Sequence, residues 1–87
     1  MQKQKNNIIL YGTRTCGDCI RSKAWLDKHG IEYEEVNIDE DEKSIEYITK
    51  LNHGVRKIPT IVFSDGSFLI EPINKALEEH VKKLGIM

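Results

Sequence analysis

An α/β domain is predicted, with the order β-α-β-α-β-β-α, folded as a four-stranded mixed sheet with helices on both faces. Two observations predict it. An apolar run at residues 8–11 is joined to a second strand-like run at 34–38 by a helical stretch, a connection that makes the two strands parallel. A third run at 59–63 is followed at once by Ser64-Asp65-Gly66-Ser67, a tight-turn signal, and then by Phe68-Leu69-Ile70, which must return antiparallel. With 87 residues the chain is one domain, and its polar start, Met1-Gln2-Lys3-Gln4-Lys5-Asn6, reads as a disordered tail over residues 1–6.

Each element has its own local signal. Ile8-Ile9-Leu10-Tyr11 is a buried strand, with residues 12–15 as a loop. From Gly17 to His29 the spacing is helical, with Ile20, Ala24 and either Trp25 or Leu26 expected to face inward. Gly30 is a natural left-handed cap for its end. The acidic residues 39–42 suit the positive end of a second helix, which runs to about Leu51 with Ile45, Ile48 and Leu51 on one face. Asn52-His53-Gly54 stops it. A last helix begins near residues 72–74 and buries Ile73, Ala76 or Leu77, Val81 and Leu84.

Composition narrows the function classes. A formal net charge of −1 gives no support for nucleic-acid binding. The run 32–46 is acidic, and Lys50, Arg56 and Lys57 follow as a basic cluster; solvated faces account for both. The apolar run after the N-terminus is too short for a signal peptide or a membrane span, so the expected location is cytoplasmic, away from membranes. His29, His53 and His80 fall on different elements, so no metal site is expected.

The chemistry lies in the only two cysteines, Cys16 and Cys19. A CxxC pair closes too small a loop to staple a scaffold, so in a reducing compartment it is catalytic sooner than structural. Residues three apart at a helix start are near enough for a redox-active disulfide. Free N–H groups and the positive dipole end favour a thiolate at such a position. A thiolate with a second thiol in reach is the minimum equipment for thiol–disulfide exchange.

Three segments together resemble the glutaredoxin family, within the thioredoxin-like superfamily, over nearly all of residues 8–84. They are the strand before Cys16-Gly17-Asp18-Cys19, the stretch Gly30-Ile31-Glu32-Tyr33-Glu34 leading to Val36-Asn37-Ile38-Asp39, and Arg56-Lys57-Ile58-Pro59-Thr60-Ile61-Val62-Phe63 before a hairpin. Tyr11-Gly12-Thr13, Asp65-Gly66-Ser67 and Glu71-Pro72 further resemble the bacterial glutaredoxin-like proteins that include the mycoredoxins. The resemblance implies a thioredoxin-like fold and a cis Ile58–Pro59 bond beside the active cysteine. It also implies a thiol–disulfide oxidoreductase that reduces protein disulfides or mixed disulfides, with Cys16 as nucleophile and Cys19 as resolving thiol.

No tightly bound cofactor is expected. The implied co-substrate is a low-molecular-weight thiol, glutathione or an analogue, and a flavin disulfide reductase is the other candidate reductant. The expected partners are disulfide-bearing proteins, and the expected state is a monomer. Arg14, Arg56 and Lys57 are the candidate thiol-binding cations, and Ile58 and Pro59 the candidate substrate-facing backbone. The chain departs from glutathione-using relatives at Thr13, where they carry lysine, at Gly17-Asp18, where they carry Pro-Tyr, and at Ile70-Glu71-Pro72, where they carry Gly-Gly and an acid. Proline has no N–H to give a carboxylate, and Glu71 repels one. The alternatives are an iron–sulfur cluster carrier and an arsenate-reductase-like protein; a zinc-binding module has only one CxxC behind it.

Overall fold

The elements run β1 (Ile9–Gly12), α1 (Gly17–Lys28), β2 (Glu34–Asn37), a 3₁₀ turn (Ile38–Glu40), α2 (Glu42–Leu51), β3 (Thr60–Val62), β4 (Phe68–Ile70) and α3 (Asn74–Lys83). This computed structural model describes residues 7–86; the tail assigned to residues 1–6 lies outside the described residues. The sheet order is β2-β1-β3-β4. β1 runs parallel to β2 and antiparallel to β3, and β3 and β4 form the expected hairpin. The thioredoxin-like α/β fold follows from that order, with the mixed sheet predicted from sequence.

Alternation along the strands sends side chains to two separate cores. Leu10, Ile61 and Phe63 point to the face covered by α1 and α3, where they meet Trp25, Leu26, Ile31, Leu77 and Val81. Tyr11, on the opposite face, packs with Ile38 and Ile48, and Ile9, Val36, Ile45, Ile58 and Val62 close around them. Each fully buried Leu or Ile contributes roughly 1.5–3 kcal/mol relative to exposure.

Helix starts and stops have local causes. Asp41 caps α2, its side chain accepting the N–H groups of Lys43 and Ser44. The acidic stretch therefore splits, with residues 38–40 tightening into 3₁₀ before the cap. Gly30 takes φ +67°, a left-handed value that ends the approach from α1.

Some inward positions need correction. Ile20 and Ala24 are exposed, and α1 instead buries Cys19, Ser22, Trp25 and Leu26. Register is set by Cys19 seating against β1, which rotates Ile20 outward by one position. Ile73 is also outside: it is the N-cap of α3, and the buried stripe begins at Leu77. β3 is shorter than the apolar run, because Pro59 lacks the N–H a ladder needs and Phe63 instead donates to Ser67 to close the turn at 2.8 Å.

Candidate active site

Strand register gathers one row of residues at the end of the sheet where β1 finishes. Gly12 pairs with Asn37, and Tyr11 pairs with Thr60, so Pro59 comes opposite Gly12. The row is completed by the Glu71 N–H, which donates to the Pro59 carbonyl at 2.8 Å. The loop to α1, the 3₁₀ turn, the loop before β3 and the start of α3 all leave from this row. The Ile58–Pro59 peptide bond is cis.

Both cysteines are free thiols and differ sharply in environment. Cys16 is the N-cap of α1 and half-buried, and its Sγ accepts the Cys19 N–H at 3.1 Å. Capping by sulfur aims a helix-end donor at the thiol. Cys19 is fully buried, one turn inside. Burial, then the hydrogen bond with Cys16, push the Cys19 thiol up to about 12. A Thr13 backbone hydrogen bond and the charge of Lys23 act weakly against that rise.

Space for Cys19 is made by Gly12. A Cβ on Gly12 would stand 2.5 Å from Cys19 Sγ and 3.2 Å from its Cβ. The glycine is needed here for close approach, not for backbone conformation.

Three arginines around the row are paired with acids. Arg14 lies 4.0 Å from Glu40, and Arg56 lies 3.6 Å from Asp39. Arg21 is forked, donating to Asp18 at 3.0 Å and to the Pro72 carbonyl at 3.2 Å. All three ion pairs are solvent-exposed, so each holds its partners in place with little net energy.

The family model described as Glutaredoxin matches residues 8–69. The chain belongs to the glutaredoxin family. A Mycobacterium tuberculosis protein carrying the glutaredoxin name is 38% identical over 65 residues, 75% of this chain and 77% of that one. Mycoredoxin 1 of Corynebacterium glutamicum is 34% identical over 68 residues, 78% of this chain and 84% of the relative. The crystal structure of a glutaredoxin from Archaeoglobus fulgidus superposes with a TM-score of 0.74 at 26% identity, covering 85% of this chain and 84% of that one.

Within this glutaredoxin domain the sequence-predicted site residues do not all converge on one spot. Cys16, Cys19, Ile58 and Pro59 belong to the row or the elements leaving it. Pro59 is buried and Ile58 half-buried against the α2-side core. Arg14 and Arg56 are at the rim but turned to the carboxylates of the 3₁₀ turn. The Lys57 side chain is exposed, and its carbonyl accepts the Thr60 hydroxyl at 2.8 Å. Sequence reasoning missed the structural role of two residues, Gly12 and Arg21. Gly12 stood in the Tyr11-Gly12-Thr13 resemblance, but nothing in the sequence said that it makes room for a buried sulfur. The Arg21 fork had one readable half, the Asp18–Arg21 spacing of i,i+3; its contact with Pro72, 51 positions away, had none.

The buried thiol ties stability to pH. The folded state raises the Cys19 pKa, so this contribution is complete below about 9 and is lost as pH climbs toward about 12. Under reducing conditions the wild type should lose stability more steeply than Cys19→Ala across that window, by at most about 1.4 kcal/mol per pH unit. Burial of Tyr11 and Tyr33 shifts both phenols the same way, but both proteins carry them and the difference cancels that background. Denaturant titrations at pH 8, 9.5 and 10.5 measure it; parallel slopes for the two proteins would refute the assignment.

Proposed function

We infer that this glutaredoxin is a dithiol thiol–disulfide oxidoreductase. The observation that carries the reading is the asymmetry of the pair: Cys16 is accessible at the helix start, and Cys19 is buried with its proton held. The Cys16 thiolate attacks one sulfur of a substrate disulfide, forming a mixed disulfide and releasing the other sulfur as a thiol. Cys19 then attacks Cys16 Sγ, losing its proton and expelling the second substrate thiol. The protein ends as the Cys16–Cys19 disulfide, and the substrate gains two electrons and two protons.

The same contacts favour that order of events. Two of the influences that hold the Cys19 proton, the hydrogen bond with Cys16 and its charge, vanish once Cys16 Sγ is bonded to substrate sulfur. Burial, the largest influence, remains, so the first step eases loss of the Cys19 proton without removing its main restraint. Ile58 supplies main-chain groups to an extended substrate segment.

Reduction of the resulting disulfide falls to a thiol or a flavin disulfide reductase. Glutathione is disfavoured by the start of α3. The Glu71 N–H already donates to Pro59, Pro72 has none, and Arg14 and Arg56 face carboxylates. Oxidised protein assayed with glutathione and its reductase, against thioredoxin reductase, should turn over faster with the second. Glu71→Gly should lower the KM for glutathione by about three- to tenfold, because removing a repelling carboxylate is worth around 1 kcal/mol. Glycine also suits the φ of 49° at that position, so the variant stays folded. Pro72→Gly adds a donor and should act in the same direction. Saturation of the wild type at low glutathione with fast turnover would overturn the expectation.

A further inference from the structure

Lys23 stands four positions after Cys19 on α1, a spacing that makes the two side chains neighbours along the helix. The Lys23 side chain is only 20% exposed, and its Nζ donates to Glu35 Oε2 at 2.6 Å. Glu35 lies on β2, paired with Leu10 of β1. Lys23 is thereby drawn from α1 toward the strand beside β1. Two residues on from Leu10 is Gly12, the residue on which Cys19 is seated. Arg21, the cation two positions away, is turned instead to Asp18 and the Pro72 carbonyl. A charge held mostly out of water acts on its neighbours more strongly than one in bulk solvent.

The state that gains from such a charge is the mixed disulfide. Once Cys16 Sγ is bonded to substrate sulfur, its hydrogen bond and charge no longer hold the Cys19 proton, but burial still does. Two influences then favour the Cys19 anion, a Thr13 backbone hydrogen bond and the charge of Lys23. Lys23 is the only side chain of the two.

We propose that Lys23, held by Glu35, is a positioning residue for the resolving step, its charge favouring the Cys19 thiolate inside the mixed disulfide. The inference rests on the oxidoreductase reading above. In that step Cys19 Sγ bonds to Cys16 Sγ and the bond from Cys16 Sγ to the substrate sulfur breaks. The Cys19 proton ends on the departing substrate thiol, and no outside oxidant or reductant takes part. Lys23 acts on this step only through Cys19. Glu35 both holds and restrains it, since a carboxylate at 2.6 Å offsets part of the ammonium charge.

The test mixes reduced protein with an excess of a disulfide-linked peptide dimer, so that the first step outruns the second. Acid quenching and intact-mass analysis follow the mixed disulfide as it forms at Cys16 and as it decays to the Cys16–Cys19 disulfide. Lys23→Met should slow the decay by about three- to fivefold, because the loss of thiolate is only partly offset by its greater nucleophilicity. Formation should stay within about 1.5-fold of the wild type, since Cys16 alone carries the first step. Lys23→Arg should keep most of the wild-type decay rate. Glu35→Gln leaves Lys23 an acceptor and removes the opposing charge, so decay should quicken by about twofold. A merely structural tie would move the Lys23→Met and Glu35→Gln variants in the same direction, whereas a charge effect moves them in opposite directions. Unchanged decay in Lys23→Met, equal slowing in Lys23→Arg, or slowing in both Lys23→Met and Glu35→Gln overturns the role of Lys23 and leaves the oxidoreductase reading standing. If the wild type forms neither a mixed disulfide nor the Cys16–Cys19 disulfide, with the peptide or with hydroxyethyl disulfide, both are overturned together.

Discussion

Cys16→Ser should abolish disulfide exchange, lowering the rate by roughly a thousandfold or more, since a hydroxyl at that position has no accessible anion at neutral pH. Cys19→Ser should do something different: the first step proceeds, and the mixed disulfide accumulates because nothing inside the protein resolves it. Intact-mass analysis after mixing with a substrate disulfide separates the two outcomes. Alkylation gives a second check. Cys19 is buried, and burial and the hydrogen bond with Cys16 hold its proton well past the range of a free thiol. Iodoacetamide should therefore label Cys16 first. Faster labelling of Cys19 would reverse the roles.

Gly12→Ala should destabilise the reduced protein by about 2 kcal/mol, within the usual cost of overpacking a filled interior. For a domain of this size that is a fall of roughly 10 °C in Tm. The new methyl would overlap Cys19 Sγ, and neither β1 nor the first turn of α1 moves freely, since strand pairing holds one and the Cys16 cap the other. The loss should be partly recovered in Gly12→Ala/Cys19→Ala, where the sulfur is gone and only the 3.2 Å approach to the Cys19 Cβ remains. A double-mutant cycle with no coupling between the two positions would show that the strain lies elsewhere.

The features legible in the sequence were those with local causes. The apolar run of β1, the acidic start of α2, Gly30 and the Asp65-Gly66 turn each act through neighbouring residues, and the structure has a strand, a capped helix start, a left-handed glycine and a hairpin turn there. The CxxC pair was legible for the same reason, since three residues and one helix start determine its geometry. The inward face of α1 was misread because Ile20 looks more apolar than Ser22, yet the close seat of Cys19 on Gly12 decides the rotation. The pairing of Arg14 and Arg56 with the 3₁₀ turn, and of Arg21 with Pro72, depends on segments that meet only after the sheet forms. No spacing rule along the chain reports such contacts.

Among the described residues the sheet ends on one side at β2, a strand with one unpaired edge, and its side chains include Glu34 and Glu35, both exposed. A bare strand edge is a template on which a second chain can add by backbone pairing, the first move in aggregation. Two such edges brought side by side here would set carboxylates against carboxylates, and the Lys23 that reaches Glu35 at 2.6 Å is held by its own helix. At the opposite margin β4 offers only three residues, Phe68–Ile70, too short a run for a stable added strand. The fold that carries Cys16 at one end of its sheet is thereby built to refuse added strands along both margins.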